Sequence, residues 1–380
     1  MKKSLLALGV LSAFVATAHA QSSVTLYGAI DEGLDYTSNI GGNRVYEMAS
    51  GYAQGNSWGL KGSEDLGGGI KAVFQLENGF EVNNGKLNQG GREFGRQAYV
   101  GLSSETAGML TMGRQYDSVV DYLGPLTANG NWAGYLFSHP YDNDNTDDTF
   151  RVDNAVKYTS IAYNGFQFGG LYGFSNSTGF SNNRAYSIGA SYSNGPLALA
   201  AAFMNINRVG ANTSGAVTTD DASFFATRER VFGAGINYTI ASATLGFVYS
   251  NSNYSNPTGN AYLSSSTDLF PRASSLKFNN FEINGKYQFT PAFYVGAMYT
   301  YTLGKYDAAS GDASPKWHQF GLMADYNLST RTDVYVQGTY LKVVGGQSGT
   351  VLDDAFITGT QGSSSTSAQF VARVALRHKF

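Results

Sequence analysis

From Val24 to the C-terminus the chain alternates, residue by residue, between an apolar side and a polar one. Val24, Leu26, Gly28 and Ile30 stand against Thr25, Tyr27, Ala29 and Asp31. Ile70, Ala72, Phe74 and Leu76 stand against Lys71, Val73, Gln75 and Glu77. The same two-residue period returns near 188, 285 and 322. It closes the chain with Phe370, Ala372, Val374 and Leu376 against Val371, Arg373, Ala375 and Arg377. A period of two is that of a strand with one greasy and one wet face. A fold of this chain must therefore cover a very long apolar ribbon.

Sixteen such segments can be counted, from 24–36 to 369–380. Their connections alternate in length. Short ones carry turn residues, as in Glu64-Asp65-Leu66-Gly67-Gly68 and Asn194-Gly195-Pro196. Long ones, roughly 37–55, 117–150, 207–228, 251–276 and 344–368, are polar and rich in Gly, Ser and Asn. A sandwich would hide the apolar face and cover its outside with charge. Charged residues are only 14% here, against about 25% in a soluble domain. In lipid the apolar face looks outward, and the backbone has no water to bond, so the sheet must close on itself. The expected fold is all-β: a transmembrane, antiparallel, up-and-down β-barrel of 16 strands with an aqueous lumen. Aromatic residues near the expected strand ends (Tyr158, Tyr163, Phe166, Tyr238, Tyr249, Phe289, Phe293, Tyr326) fit interfacial girdles.

Lys2 and Lys3, the mostly apolar stretch Leu5 to Ala18 and the small-x-small Ala18-His19-Ala20 read as a secretory signal over 1–20. The remainder, 21–380, reads as a single barrel domain. No later run is apolar for long enough to cross a membrane as a helix, which takes about 20 residues.

Other chemistries find little purchase. The chain has no cysteine, so no disulfide framework and no thiolate metal site. With 25 Lys+Arg against 28 Asp+Glu it lacks the basic excess of a nucleic-acid binder. Gly55-Asn56-Ser57-Trp58-Gly59 matches a nucleophile elbow, but it opens a strand with no helix behind it. His139, His318 and His378 sit beside no recognisable catalytic serine and read as surface or interface groups. Asp142-Asn143-Asp144-Asn145-Thr146-Asp147 resembles a calcium loop without its sixth-position Gly or twelfth-position Glu. No enzyme, cofactor or metal is expected.

Several segments together resemble the Gram-negative general diffusion porins, in their betaproteobacterial and neisserial branch. These are Ser22-Ser23-Val24-Thr25-Leu26-Tyr27-Gly28, Trp58-Gly59-Leu60-Lys61-Gly62-Ser63-Glu64-Asp65-Leu66-Gly67, Arg96-Gln97-Ala98-Tyr99-Val100-Gly101-Leu102 and Gly113-Arg114-Gln115-Tyr116. Arg151 with Asn154 and Val156-Lys157-Tyr158 also fits, as does the terminal Phe380. The resemblance implies an outer-membrane channel for ions and small hydrophilic solutes, built as a homotrimer in lipid. Phe380 would be the signal read by the barrel-assembly machinery. A substrate-preferring channel, or a non-conducting adhesin or enzyme on the same barrel, is the alternative.

The resemblance further implies that the third outside loop, 117–150, folds into the lumen. Its acids Asp121, Asp142, Asp144, Asp147 and Asp148 would face a basic wall of Arg114, Arg151 and Lys157. Alternation supports Arg151 and Lys157 as lumen-facing. It opposes Arg114, which shares parity with the lipid-side Leu110 and Met112; the family placement is preferred, because alternation fails where a strand leaves its sheet. Ser57, Ala29 and Thr159 stand where relatives can carry basic residues, so strong anion selectivity is in doubt. Glu32 falls at a lipid-side position, which fits a bulge or a subunit contact.

Overall fold

The computed structural model describes residues 22–208, 213–218, 221–263 and 269–380; the expected signal over 1–20 lies outside them. Sixteen barrel strands run in chain order. They are β1 (Ser23–Ile40), β2 in two runs (Asn43–Ser50 and Ser57–Gly67), β3 (Ile70–Gly79), β4 (Gln97–Ser104) and β5 (Gly108–Gln115). Then come β6 (Val152–Thr159), β7 (Phe166–Gly173), β8 (Arg184–Asn194), β9 (Leu197–Asn207), β10 (Arg228–Ile240) and β11 (Ala243–Ser255). The last are β12 (Ala273–Thr290), β13 (Phe293–Ala308), β14 (Lys316–Asn327), β15 (Thr332–Val344) and β16 (Ala368–Lys379). Each pairs antiparallel with its chain neighbours. β1 returns to β16 in register from Ala29 opposite Lys379 to Thr37 opposite Val371, and this closes the barrel. The backbones of Gly28 and Phe380 exchange both hydrogen bonds, at 3.1 and 3.0 Å, so the last residue completes the seam.

The alternation sorts as expected. Val24, Leu34, Ile188, Ile283 and Leu322 are largely exposed on the outer face. Asp31, Thr111, Ser250, Glu282 and Gln337 are buried on the inner one. This inversion of the soluble pattern suits a barrel whose outside meets hydrocarbon.

Three features depart from the sequence reading. The expected first long connection, 37–55, is mostly strand: β1 runs on to Ile40, turns at Gly41 and Gly42, and returns as Asn43–Ser50. Only 51–56 leave the sheet, held by Asp31, whose Oδ2 accepts from the Ala53 and Gln54 amides at 2.8 and 3.0 Å. Two further connections on the long-loop edge, 80–96 and 174–183, are not among the long ones counted from the sequence. The inner face is also not polar throughout. Near the long-loop edge Phe278, Trp317, Leu341 and Val343 point inward and pack with Tyr141, Phe224 and Phe356 of the connections. Tyr141 stacks on Phe356 at 5.7 Å and meets Trp317 edge-on at 6.1 Å. Loop aromatics need an apolar floor, and inner positions of the strand tops supply it.

Candidate pore constriction

The segment after β5 is short helical turns, from Val119–Leu123 to Pro140–Asp142, joined by extended residues. Its apolar side chains meet inner-face glycines. A Cβ on Gly189 would stand 2.5 Å from Tyr122, one on Gly233 2.5 Å from Leu123 and one on Gly296 2.5 Å from Trp132, while one on Gly321 would come closer still to Phe137. The glycines thus form a furrow across β8, β10, β13 and β14 that any larger residue would fill. Polar bonds run alongside. Asn284 Nδ2 donates to the Leu126 carbonyl at 3.1 Å, Tyr294 Oη to that of Trp132 at 3.0 Å, and Gln319 Nε2 to that of Ser138 at 3.1 Å. Glu282 Oε1 accepts from the Ala128 amide at 2.7 Å.

His139 is wholly buried, with Nδ1 2.7 Å from Asp144 and Nε2 3.0 Å from Glu282 of β12. Burial alone would lower its pKa, but Asp144 and Glu282 outweigh that and raise it to about 10. It is therefore a charged clamp between loop and wall, not the surface group its sequence setting implied. Asp144 also accepts from Thr146 at 3.0 Å and from Ser250 of β11. The neighbouring Asn143 bonds Ser252 at 2.6 Å and Asn280 at 2.9 Å. Nothing in the composition marked His139. Its partner Glu282, a lumen-parity acid mid-strand, was the readable half.

The expected acidic residues divide. Asp142 and Asp144 have no exposed surface. Asp142 accepts from the Asp147 amide at 3.1 Å and from Thr149 Oγ1 at 2.5 Å, and burial, with the charge of Asp144 nearby, pushes it up to about 7. Burial, then the charges of Asp142 and Asp148, hold Asp147 well above the usual carboxylate range. The carboxylates of 142–147 thus turn to separate partners, and among the described residues no cluster of acids or histidines could hold a metal ion. Asp121 and Asp148 keep open faces, their side chains 29% and 33% exposed, and Asp147 is also only partly buried.

The expected cations meet these acids directly. Lys157 Nζ lies 2.5 Å from Asp121, and Arg151 Nη2 2.7 Å from Asp148 while its guanidinium covers the Tyr116 ring at 5.0 Å. Arg114 goes elsewhere. It pairs with Asp153 at 2.6 Å and with Asp221, and donates to the Gly95 carbonyl at 2.8 Å. Its inward course has a local cause. The β5–β6 register shifts between Gly113 and Gln115, and Gly113 sits at φ +138°, so a bulge reverses parity at Arg114. A Cβ on Gly113 would overlap the Ala98 carbonyl oxygen, which leaves glycine as the only fit.

Arg96 was missed. It pairs with Glu77 of β3 at 2.5 Å and with Asp148 at 3.3 Å, tying the wall to the loop. The signal was available in part, because Glu77 falls at lumen parity. A cavity of about 500 Å³ lies among Gln54, Arg96, Gly130, Asp148 and Arg151. Another, of about 400 Å³, lies among Asp121, Trp132, Asn237, Thr244 and Lys286. Pro125 lines both, so they abut the same turn of the loop from two sides.

Comparison with known proteins agrees with this architecture. A family model described as Gram-negative porin matches residues 7–346. An outer membrane porin protein of Bordetella pertussis is 34% identical over 385 residues, covering 90% of this chain and 94% of that protein. Among solved structures, the anion-selective porin from Comamonas acidovorans superposes with a TM-score of 0.72 at 23% identity, covering 94% of this chain and 100% of that one. The trimer form of OmpT from Vibrio cholerae superposes with a TM-score of 0.66 at 17% identity, covering 94% of this chain and 99% of that one.

Proposed function

Since the chain belongs to the Gram-negative porin family and is an outer-membrane channel for passive diffusion, we propose that residues 117–150 fold into its lumen and set the limiting aperture. The family and the closed barrel point to a channel rather than to an enzyme. The observation that carries the loop reading is the row of inner-face glycines, Gly189, Gly233, Gly296 and Gly321, filled by Tyr122, Leu123, Trp132 and Phe137. Cavities abutting Pro125 from two sides support a passage narrowed at that turn.

Charge at this aperture is nearly compensated. Arg114, Arg151 and Lys157 each hold an acid at contact distance, so little free positive charge faces the water. Ion preference comes from charge at the narrowest point. The channel therefore passes small hydrophilic solutes and ions of both signs, with weak preference, and a transverse field acts only close to each pair. A reversal potential measured in a KCl gradient tests this: a value near zero is expected. A value near the chloride limit would mean that the wall carries uncompensated cations.

The working unit is a homotrimer. Glu32, at lipid-side parity on β1 between Ile30 and Leu34, has both carboxylate oxygens already buried within the chain and calls for no further cover; the trimer reading is supported by the family and by the trimer form of its structural neighbour OmpT. Phe380 serves as the assembly signal, a reading supported by its backbone pairing with Gly28 at the closing seam.

A further inference from the structure

Residues 51–56 have left the sheet, so their backbone groups need partners outside the strand ladder. They find them on two sides. On one side is the loop over 117–150. The Tyr135 amide donates to the Tyr52 carbonyl at 2.8 Å, and the rings of Tyr52 and Tyr135 meet edge-on at 5.8 Å. Gly134 permits this approach: its φ is +75°, and a Cβ there would overlap the Tyr52 carbonyl oxygen. Gly55 abuts Arg96, whose partner Asp148 belongs to the loop. Along its whole length the segment lines the cavity of about 500 Å³ that Asp148 and Arg151 also line.

On the other side is the wall at the β1–β16 seam. Asp31 of β1 accepts the Ala53 and Gln54 amides, and its own amide donates to Asn56 Oδ1 at 2.6 Å. The Asp31 carboxylate is set in turn by Arg373 of β16. Arg373 donates Nη2 to Asp31 at 3.0 Å, Nη1 to Asp35 at 2.7 Å and Nε to Tyr335 Oη at 2.9 Å. Tyr335 donates to Asp31 at 2.7 Å and accepts from the Ala53 amide at 3.3 Å. The Arg373 guanidinium also covers the Tyr52 ring at 4.3 Å, a favourable cation–π placement. Farther along β16, Arg377 donates to the Ala53 carbonyl at 3.4 Å.

The side chains of Arg373 and Asp31 have no exposed surface, so neither meets a passing ion. Arg373 instead balances two buried carboxylates. Without it Asp31 and Asp35 would stand uncompensated in the wall, and the anchor of the Ala53 and Gln54 amides would lose its charge-assisted support. We propose that residues 51–56 are a second wall of the aperture, set against the loop, and that Arg373 is their positioning residue. This rests on the reading that the loop sets the limiting aperture.

The chain has no cysteine, so a single thiol can report on each wall. In planar bilayers a bulky neutral thiol reagent is applied to Gln54→Cys and, separately, to Asn131→Cys in the loop. A stepwise loss of current is expected in both. An unaltered current in Gln54→Cys would overturn the proposal. Loss in Gln54→Cys with none in Asn131→Cys would overturn the loop reading and leave 51–56 as the wall of the aperture. A spin label on the Gln54→Cys thiol then tests Arg373. An immobilised spectrum is expected with the wall otherwise native and with Asp35→Asn, which keeps an oxygen for Arg373 Nη1. Arg373→Met and Asp31→Asn should each add a mobile fraction, and Arg373→Lys should show less of it than Arg373→Met. A label on Asn131→Cys should keep its spectrum in every background. A Gln54→Cys label equally immobile in Arg373→Met, or an Asn131→Cys label loosened to the same degree, would overturn the role of Arg373. The current measurement leaves Arg373 in place, so it does not depend on how that variant folds.

Discussion

At the scale of single residues the loop is held by charge placed where it cannot escape. His139 between Asp144 and Glu282 is the clearest case. Removing one partner of a buried ionic group strands the others, at a cost of about 3–5 kcal/mol. His139→Gln should keep the barrel and loosen the loop, seen as larger open-channel current noise; noise equal to that of the native channel would remove His139 from the clamp. The pH dependence follows from its raised pKa. Stabilisation is complete below the free imidazole value of about 6.5 and is lost as pH climbs through about 10. Any change near pH 7, where the buried Asp142 of the same loop ionises, should be shared by the native channel and His139→Gln, whereas the rise near pH 10 should appear in the native channel only. Arg114 tests the passage differently. Its removal frees Asp153 and Asp221, so Arg114→Ala should shift the reversal potential toward cations; no shift would place the residue outside the ion path.

At the scale of elements, glycine does what larger residues cannot. Gly113→Ala should force the β5 bulge out of its strained conformation at about 1–3 kcal/mol, measured as a lower urea midpoint for the barrel in lipid vesicles. Gly296→Val should push Trp132 off β13 and change single-channel conductance without altering the β-sheet circular dichroism; unchanged conductance would contradict the furrow. These devices mark where the sequence was legible. Alternation exposed the strands and the barrel because inner and outer faces differ at nearly every step from β1 to β16. It missed that 37–50 is strand, because Gly41-Gly42 and the polar residues around them look like loop, and it missed the Gly113 bulge, because an unpaired residue reverses parity without changing composition. It also assigned all five loop acids alike. Asp142 and Asp144 carry the same chemistry as Asp121 and Asp148 but turn to partners more than a hundred residues away in some cases, such as Ser250, which local pattern cannot register.

At the scale of the molecule, one sheet serves two solvents. Its outer face meets hydrocarbon, and its inner face, through loop and wall, shapes a path for water. Closure at the β1–β16 seam makes this stable, since an open edge in lipid would leave backbone groups unbonded. Ion pairs at Arg96, Arg151 and Lys157 tie loop to wall, and in the proposed reading such contacts adjust the path without disturbing the wall. The central claim is that solutes cross by diffusion through standing water, with no step of binding and release. Single-channel conductance in planar bilayers, followed across KCl concentrations, addresses it directly. Discrete, ohmic openings whose conductance rises in proportion to bulk electrolyte conductivity are predicted. Absent openings, or a conductance that saturates at moderate salt, would contradict it.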